Sequence, residues 1–145
     1  MKYLLDTNII SELRKSNCNA NVKALIDEIP PEDMYLCSLT MGELSYGIEK
    51  LPAGKKKHDL LIWFNIKLPE WFDGRIISLD TETMAHWGRL RAGAEKTMPM
   101  ADSQIAAAAI THHMTLVTRN IKDFAEIEGI MLLNPWEYPT NAQTK

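Results

Sequence analysis

No apolar run in this 145-residue chain approaches the roughly 20 residues that a membrane-spanning helix needs, which excludes a helical membrane protein. The N-terminal apolar stretch is short and already contains Asp6. It does not read as a secretory signal, so the expected location is the cytosol. Cysteine is scarce: Cys18 and Cys37 share no motif spacing and read as free thiols rather than a disulfide or metal pair. The histidines (His58, His86, His112, His113) form no metalloprotease pattern. His112–His113 falls near an expected helix end, where a surface or dipole role fits. An excess of positive charge is also missing. The net charge of −3 argues mildly against a large nucleic-acid surface, although acidic residues gathered in a site would make that balance misleading. Positive charge is local, at Arg14–Lys15, Lys55–Lys57, Arg75, Arg89, Arg91 and Lys96.

What is present is a chain of ordinary domain size, 46% apolar and 24% charged, enough for one buried core. Tyr3-Leu4-Leu5 reads as a buried strand ending at Asp6. Ile9, Ile10 and Leu13, then Val22, Leu25, Ile26 and Ile29, recur at helical spacing. A turn at residues 17–21 divides them into a helical hairpin, closed by Pro30–Pro31. Met34 to Ser38 has strand length, and Thr40 opens a helix striped by Met41, Leu44, Ile48 and Leu51. A further amphipathic helix runs from Lys55 through Leu68, with Pro69 expected to stop it. Arg75 to Leu79 reads as a strand, with Asp80 capping the next helix. Pro99 begins a helix running to about His112. Thr115 to Thr118 and Met131 to Leu133 are the last strands, with a helical turn from Asn120 between them. Strands alternating with helices predict an α/β fold. The expectation is a single three-layer domain over residues 1–136, with a mostly parallel sheet of four or five strands, and a polar tail at 137–145.

Four acidic residues share one context, the end of a strand and the start of a helix: Asp6, Glu43, Asp102 and Asp123. Each has a bland explanation. Thr40 and Glu43 fit a capping box, Asn120 and Asp123 imitate one, Asp6 fits a helix cap, and Asp102 suits a helix dipole. In a parallel sheet, however, all strands end on one side, where ligands of open α/β sheets bind. Convergent carboxylates repel one another unless a cation compensates, and hard oxygen ligands suit Mg²⁺ or Mn²⁺.

The motifs carry a resemblance over nearly the whole chain. They are Leu4-Leu5-Asp6-Thr7-Asn8, Ser38-Leu39-Thr40-Met41-Gly42-Glu43-Leu44 with Tyr46-Gly47, Met100-Ala101-Asp102-Ser103-Gln104-Ile105-Ala106, and Val117-Thr118-Arg119-Asn120 with Asp123-Phe124. In this order the chain resembles the PIN-domain ribonucleases, specifically the VapC-type toxins of type II toxin–antitoxin pairs. The resemblance implies a Mg²⁺-dependent (or Mn²⁺-dependent) endoribonuclease acting on structured RNA of the tRNA or rRNA class, and so inhibiting translation and growth. It implies hydrolysis by an activated water, with no covalent nucleophile. Asp6, Glu43 and Asp102 match the family's acidic ligands. Asp6 and Asp102 hold metal directly or through water, and Glu43 is either a ligand or the general base. Asp123 matches a more variable fourth position, which Asn120 also has a claim to. Thr118, Asn120 and Asn8 orient the site. Arg14, Lys15, Arg89 and Arg91 are candidates for steering RNA. The implied partners are a second copy in a homodimer and a cognate antitoxin, with a higher hetero-oligomer on operator DNA. A guanidinium from the antitoxin would match the carboxylates, and the apolar hairpin around Ile9, Leu13, Leu25 and Ile29 offers a groove wall.

Two other readings compete. One is a catalytically idle interaction module whose carboxylates capture a partner's arginine, against which the intact acidic set argues. The other is a haloacid-dehalogenase-type phosphatase, but the residue two beyond Asp6 is Asn8, not the second Asp that chemistry requires.

Overall fold

Tyr3–Leu5 (β1) is the middle strand of a five-stranded parallel sheet in a computed structural model that describes residues 1–138. The others are Met34–Cys37 (β2), Ile76–Ile77 (β3), Thr115–Val117 (β4) and Met131–Leu133 (β5), in the order β3-β2-β1-β4-β5. Tyr3 pairs with Met34 on one side and Thr115 on the other. The strand order therefore reverses between β1 and β4. At such a switch point the connecting chains leave in opposite directions and open a crevice beyond the carboxyl ends of the strands.

Both faces of the sheet are covered, which is why β1 is apolar without alternation. Leu4 and Leu5 are fully buried on opposite faces. Leu5 packs with Ile9, Ile10, Val22 and Leu25 of the hairpin formed by Thr7–Leu13 (α1) and Ala20–Glu28 (α2). The same cluster takes in Leu44 of Ser38–Glu49 (α3), together with Leu68 and Phe72. Leu4 packs with Ile105, Ala106, Ala108 and Ala109 of Met100–Thr111 (α7). The alanine run has little side chain to hold the helix away from the sheet, and Ala106 to Ala109 are fully buried. Thr81–Gly93 (α6) lies against α7. Asp80 caps α6 as the sequence predicts, accepting from the Thr83 amide at 2.9 Å.

One expectation and two alternative readings fail. Pro69 does not stop its helix. Lys55–Ile62 (α4) passes through a π turn at Trp63–Lys67 and continues as Leu68–Trp71 (α5). The wider turn carries the chain into the proline, which sits in the first turn of α5. The capping box also fails. Helix α3 starts at Ser38, directly after β2, so Thr40 is an interior, fully buried helical residue and Glu43 is free to point elsewhere. Asn120 precedes Ile121–Phe124 (α8) without any side-chain cap. The sheet otherwise follows the prediction, with β2, β3 and β4 shorter than expected. Of the predicted tail, Glu137 ends a 3₁₀ turn at Pro135–Glu137 and Tyr138 donates its hydroxyl to Glu28. The remainder lies outside the described residues. Among those described, no helix is long and apolar enough to cross a membrane.

Candidate active site

Strand β1 ends at Leu5, so the next side chain emerges at the sheet edge. That residue is Asp6, which caps α1 by accepting from the Thr7 amide at 2.8 Å. The buried Thr118, just past β4, donates its hydroxyl to Asp6 Oδ2 at 2.8 Å. Asn8 reaches the same oxygen and the Thr118 hydroxyl, each at 3.4 Å. Asp6 is thus held at the switch point by both strands that define it. Thr7 turns its hydroxyl toward α3, donating to Glu43 and contacting Thr40 Oγ1 at 3.2 Å. This contact uses the Glu43 carboxylate that a capping box would have turned back to the Thr40 amide.

Asp6, Glu43 and Asp102 line one cleft of ≈ 410 Å³, joined by Thr7, Asn8 and Asn120. They come from three elements: the end of β1, the second turn of α3 and the first turn of α7. Asp123 is elsewhere. It lines a neighbouring cavity of ≈ 490 Å³ with Arg89 and Arg91, though its charge still reaches Asp102. Of the four cations considered for steering RNA, the structure brings Lys15 to the cleft, paired with Glu12 at 3.1 Å. Arg14 lies over Trp63, 5.0 Å from the ring centre. Arg91 donates to the Met98 carbonyl at 2.9 Å.

Burial raises the Asp6 carboxyl above its ordinary value, and the Glu43 charge adds to the rise. Bonds from Thr118, Thr7 and Asn8 oppose it without reversing it. Burial also raises Asp102, followed by the charges of Asp6, Asp123 and Glu43. Both shifts mark crowded negative charge that protein cations do not neutralise. An all-oxygen donor set under that strain fits a hard divalent ion. No three acidic, histidine or cysteine side chains among the described residues are grouped to hold an ion by themselves. The fit is therefore to an ion that keeps several waters, as Mg²⁺ does.

A PIN-domain model matches residues 3–130. The chain belongs to the PIN-domain family, among the VapC-type toxins. It is 34% identical over 137 residues to VapC ribonuclease Y4jK of Sinorhizobium fredii, covering 92% of this chain and 97% of that one. It is 31% identical to the tRNA(fMet)-specific endonuclease VapC of Salmonella typhimurium, over 91% and 96% of the two chains. The solved structure of FitAB bound to an IR36 DNA fragment superposes with a TM-score of 0.86 at 36% identity, covering 92% and 95%.

Sequence reasoning missed five cleft residues, Thr7, Ser11, Glu12, Arg119 and Trp136. Thr7 lay inside a quoted motif, yet only the fold reveals that it serves Glu43. Glu12 is buried on α1 and accepts from the Asn19 amide at 2.8 Å. Arg119 and Trp136 also line the cleft. Arg119 sits between two residues that had been singled out, whereas nothing local in the sequence marks Trp136.

Proposed function

We propose that this PIN-domain protein is a divalent-metal-dependent endoribonuclease that cleaves structured RNA of the tRNA or rRNA class, halting translation as the toxin of an antitoxin-controlled pair. The observation that carries the reading is that Asp6, Glu43 and Asp102, far apart in sequence, line one cleft at the switch point of the sheet. The family relationship supports RNA as substrate, since Y4jK is named a ribonuclease and the Salmonella relative a tRNA-specific endonuclease. The FitAB–DNA complex supports a partner-bound, DNA-binding assembly. We extend these to a homodimer, a cognate antitoxin and a hetero-oligomer on operator DNA, with residues 1–136 acting as one nuclease domain.

Asp6 and Asp102 would hold the ion, directly or through water, with Glu43 beside them and Thr118 and Asn8 fixing the direction of Asp6. A bound Mg²⁺ or Mn²⁺ would neutralise phosphodiester charge and lower the pKa of the attacking water. Glu43, held by the Thr7 hydroxyl, can take up the proton that this water loses. Asn120 closes the cleft with neutral hydrogen-bonding capacity beside the anions.

The test is cleavage of total bacterial RNA by antitoxin-free protein with Mg²⁺ or Mn²⁺, with EDTA, and with Asp6→Asn and Asp102→Asn proteins. Discrete fragments that vanish with chelator and in both variants are expected. Absence of cleavage by folded protein across several RNA pools, together with no metal binding by calorimetry, would replace the nuclease with an interaction module.

A further inference from the structure

The cleft has a second wall whose chemistry is opposite to that of the carboxylates. We propose that Arg119, seated on the ring of Trp136, binds a backbone phosphate of the RNA strand adjacent to the cleaved bond, with Trp136 as its positioning residue. This inference rests on the RNA-cleaving reading above.

Both residues line the acidic cleft. The Arg119 guanidinium carbon lies 4.7 Å from the Trp136 ring centre. Stacking uses the face of a guanidinium and leaves its in-plane N–H groups available, and that planar fork matches a phosphate bidentately. No carboxylate among the described residues forms an ion pair with Arg119. Glu12 feels its charge, but the Glu12 oxygens already accept from the Asn19 amide and the Lys15 ammonium.

The pair is also fixed relative to Asp6. The Arg119 amide donates to Asn8 Oδ1 at 3.3 Å, and Asn8 is the residue that reaches Asp6. The Arg119 carbonyl accepts from Asn134 Nδ2 at 3.3 Å, while Asn134 Oδ1 accepts from the Trp136 amide at 2.9 Å. Asn21 holds the Trp136 carbonyl at 3.0 Å, and the ring packs against the core. One asparagine thus ties the cation to its platform, and another ties it to the candidate metal ligand. A phosphodiester approaching a carboxylate-lined cleft is repelled unless positive charge stands close by. The other cation in the cleft, Lys15, is committed to Glu12. Arg119 is the cation built for that task.

The experiment uses full-length protein in an Asp102→Asn background with Mg²⁺, so that binding is read without cleavage. Anisotropy of a labelled RNA stem-loop gives affinity across a salt series, and thermal melting confirms folding. Arg119→Ala should weaken binding about tenfold or more, as loss of a charge-assisted bond does. It should also flatten the log–log salt slope by roughly 0.7–0.9, the contribution of one phosphate contact. Arg119→Lys should restore the slope with only part of the affinity. Trp136→Phe, which keeps an aromatic face, should retain the slope with a smaller loss of affinity. Lys55→Gln, which removes a charge paired with Asp59 on α4, should leave the slope unchanged. If folded Arg119→Ala protein binds with the background slope and affinity, or if Arg119→Lys fails to restore the slope, Arg119 is structural and the inference is overturned alone. If the background protein binds no RNA at any salt, the inference and the nuclease reading both fall.

Discussion

Asp6 and Asp102 face one cleft from walls built in different ways. Asp6 is the cap of α1 and accepts from Thr7, Thr118 and Asn8. Asp102 stands in the first turn of α7 and accepts no side-chain bond among the described residues. Both carboxyls are raised above their ordinary values, but for different balances of cause. At Asp6, burial outweighs three opposing hydrogen bonds. At Asp102, burial and three neighbouring carboxylates act together with nothing opposing them. One wall orients a ligand; the other concentrates charge. In the proposed metal site, a bound cation would relieve the second wall more than the first and would couple metal occupancy to the stability of the α7 terminus.

The largest effect should be common to both walls. Asp6→Asn and Asp102→Asn should each lower cleavage by roughly 10²–10⁴-fold, the range expected when a positioned catalytic group is lost. Gel-resolved initial rates on one RNA measure this. An Asp102→Asn protein retaining nearly full activity would remove that wall from the chemistry. Thr118→Val isolates orientation. It should cost roughly 10–100-fold in activity or metal affinity through misdirected Asp6, and about 1 kcal/mol of stability for the lost hydrogen bond. A normal metal affinity measured by calorimetry would break the claim that the first wall orients.

Divalent ion should raise the melting temperature of the wild-type protein. Saturation at 100 times Kd contributes about 2.7 kcal/mol, or several degrees for a chain of this length at roughly 2–4 °C per kcal/mol. The increment should disappear with EDTA and in Asp102→Asn. The smallest effect concerns the walls themselves in metal-free protein. Asp6→Asn should be the less stable of the two variants, since losing donors aimed at a carboxylate offsets the relief of its buried charge. Asp102→Asn should be unchanged or slightly more stable, since repulsion is relieved. Urea titrations of both variants in EDTA would compare them directly, and equal destabilisation would erase the difference between the walls.

Much of this was legible before any coordinates. The apolar runs of β1 and β4, the caps at Asp6 and Asp80, and the alanine stretch of α7 state their structure locally, because capping and burial are read over a few residues. The α4–α5 run was not legible at Pro69, since a π turn is a compromise with packing that propensity does not encode. Glu43 was ambiguous for a related reason. The same spacing from Thr40 serves a capping box or an interior helix, and only the direct junction of β2 with α3 selects the second.

Local pattern alone dictates the alternation of strand and helix, and hence a parallel sheet with acidic residues at strand ends. Tertiary structure decided which of them share a cleft. The reversal of strand order between β1 and β4 sets Asp6 beside Thr118, α7 brings Asp102 to them, and α8 turns Asp123 into the adjacent cavity. It also decided which cations stand at the cleft, Lys15 paired with Glu12 and Arg119 stacked on a ring. Arg14, Arg89 and Arg91 were as conspicuous in the sequence as Arg119. Only Arg119 has a strand end beneath its backbone and Trp136, seventeen residues further on, beneath its side chain. Spacing along a chain cannot report that contact, because it is made by two loops that meet only when the sheet has formed.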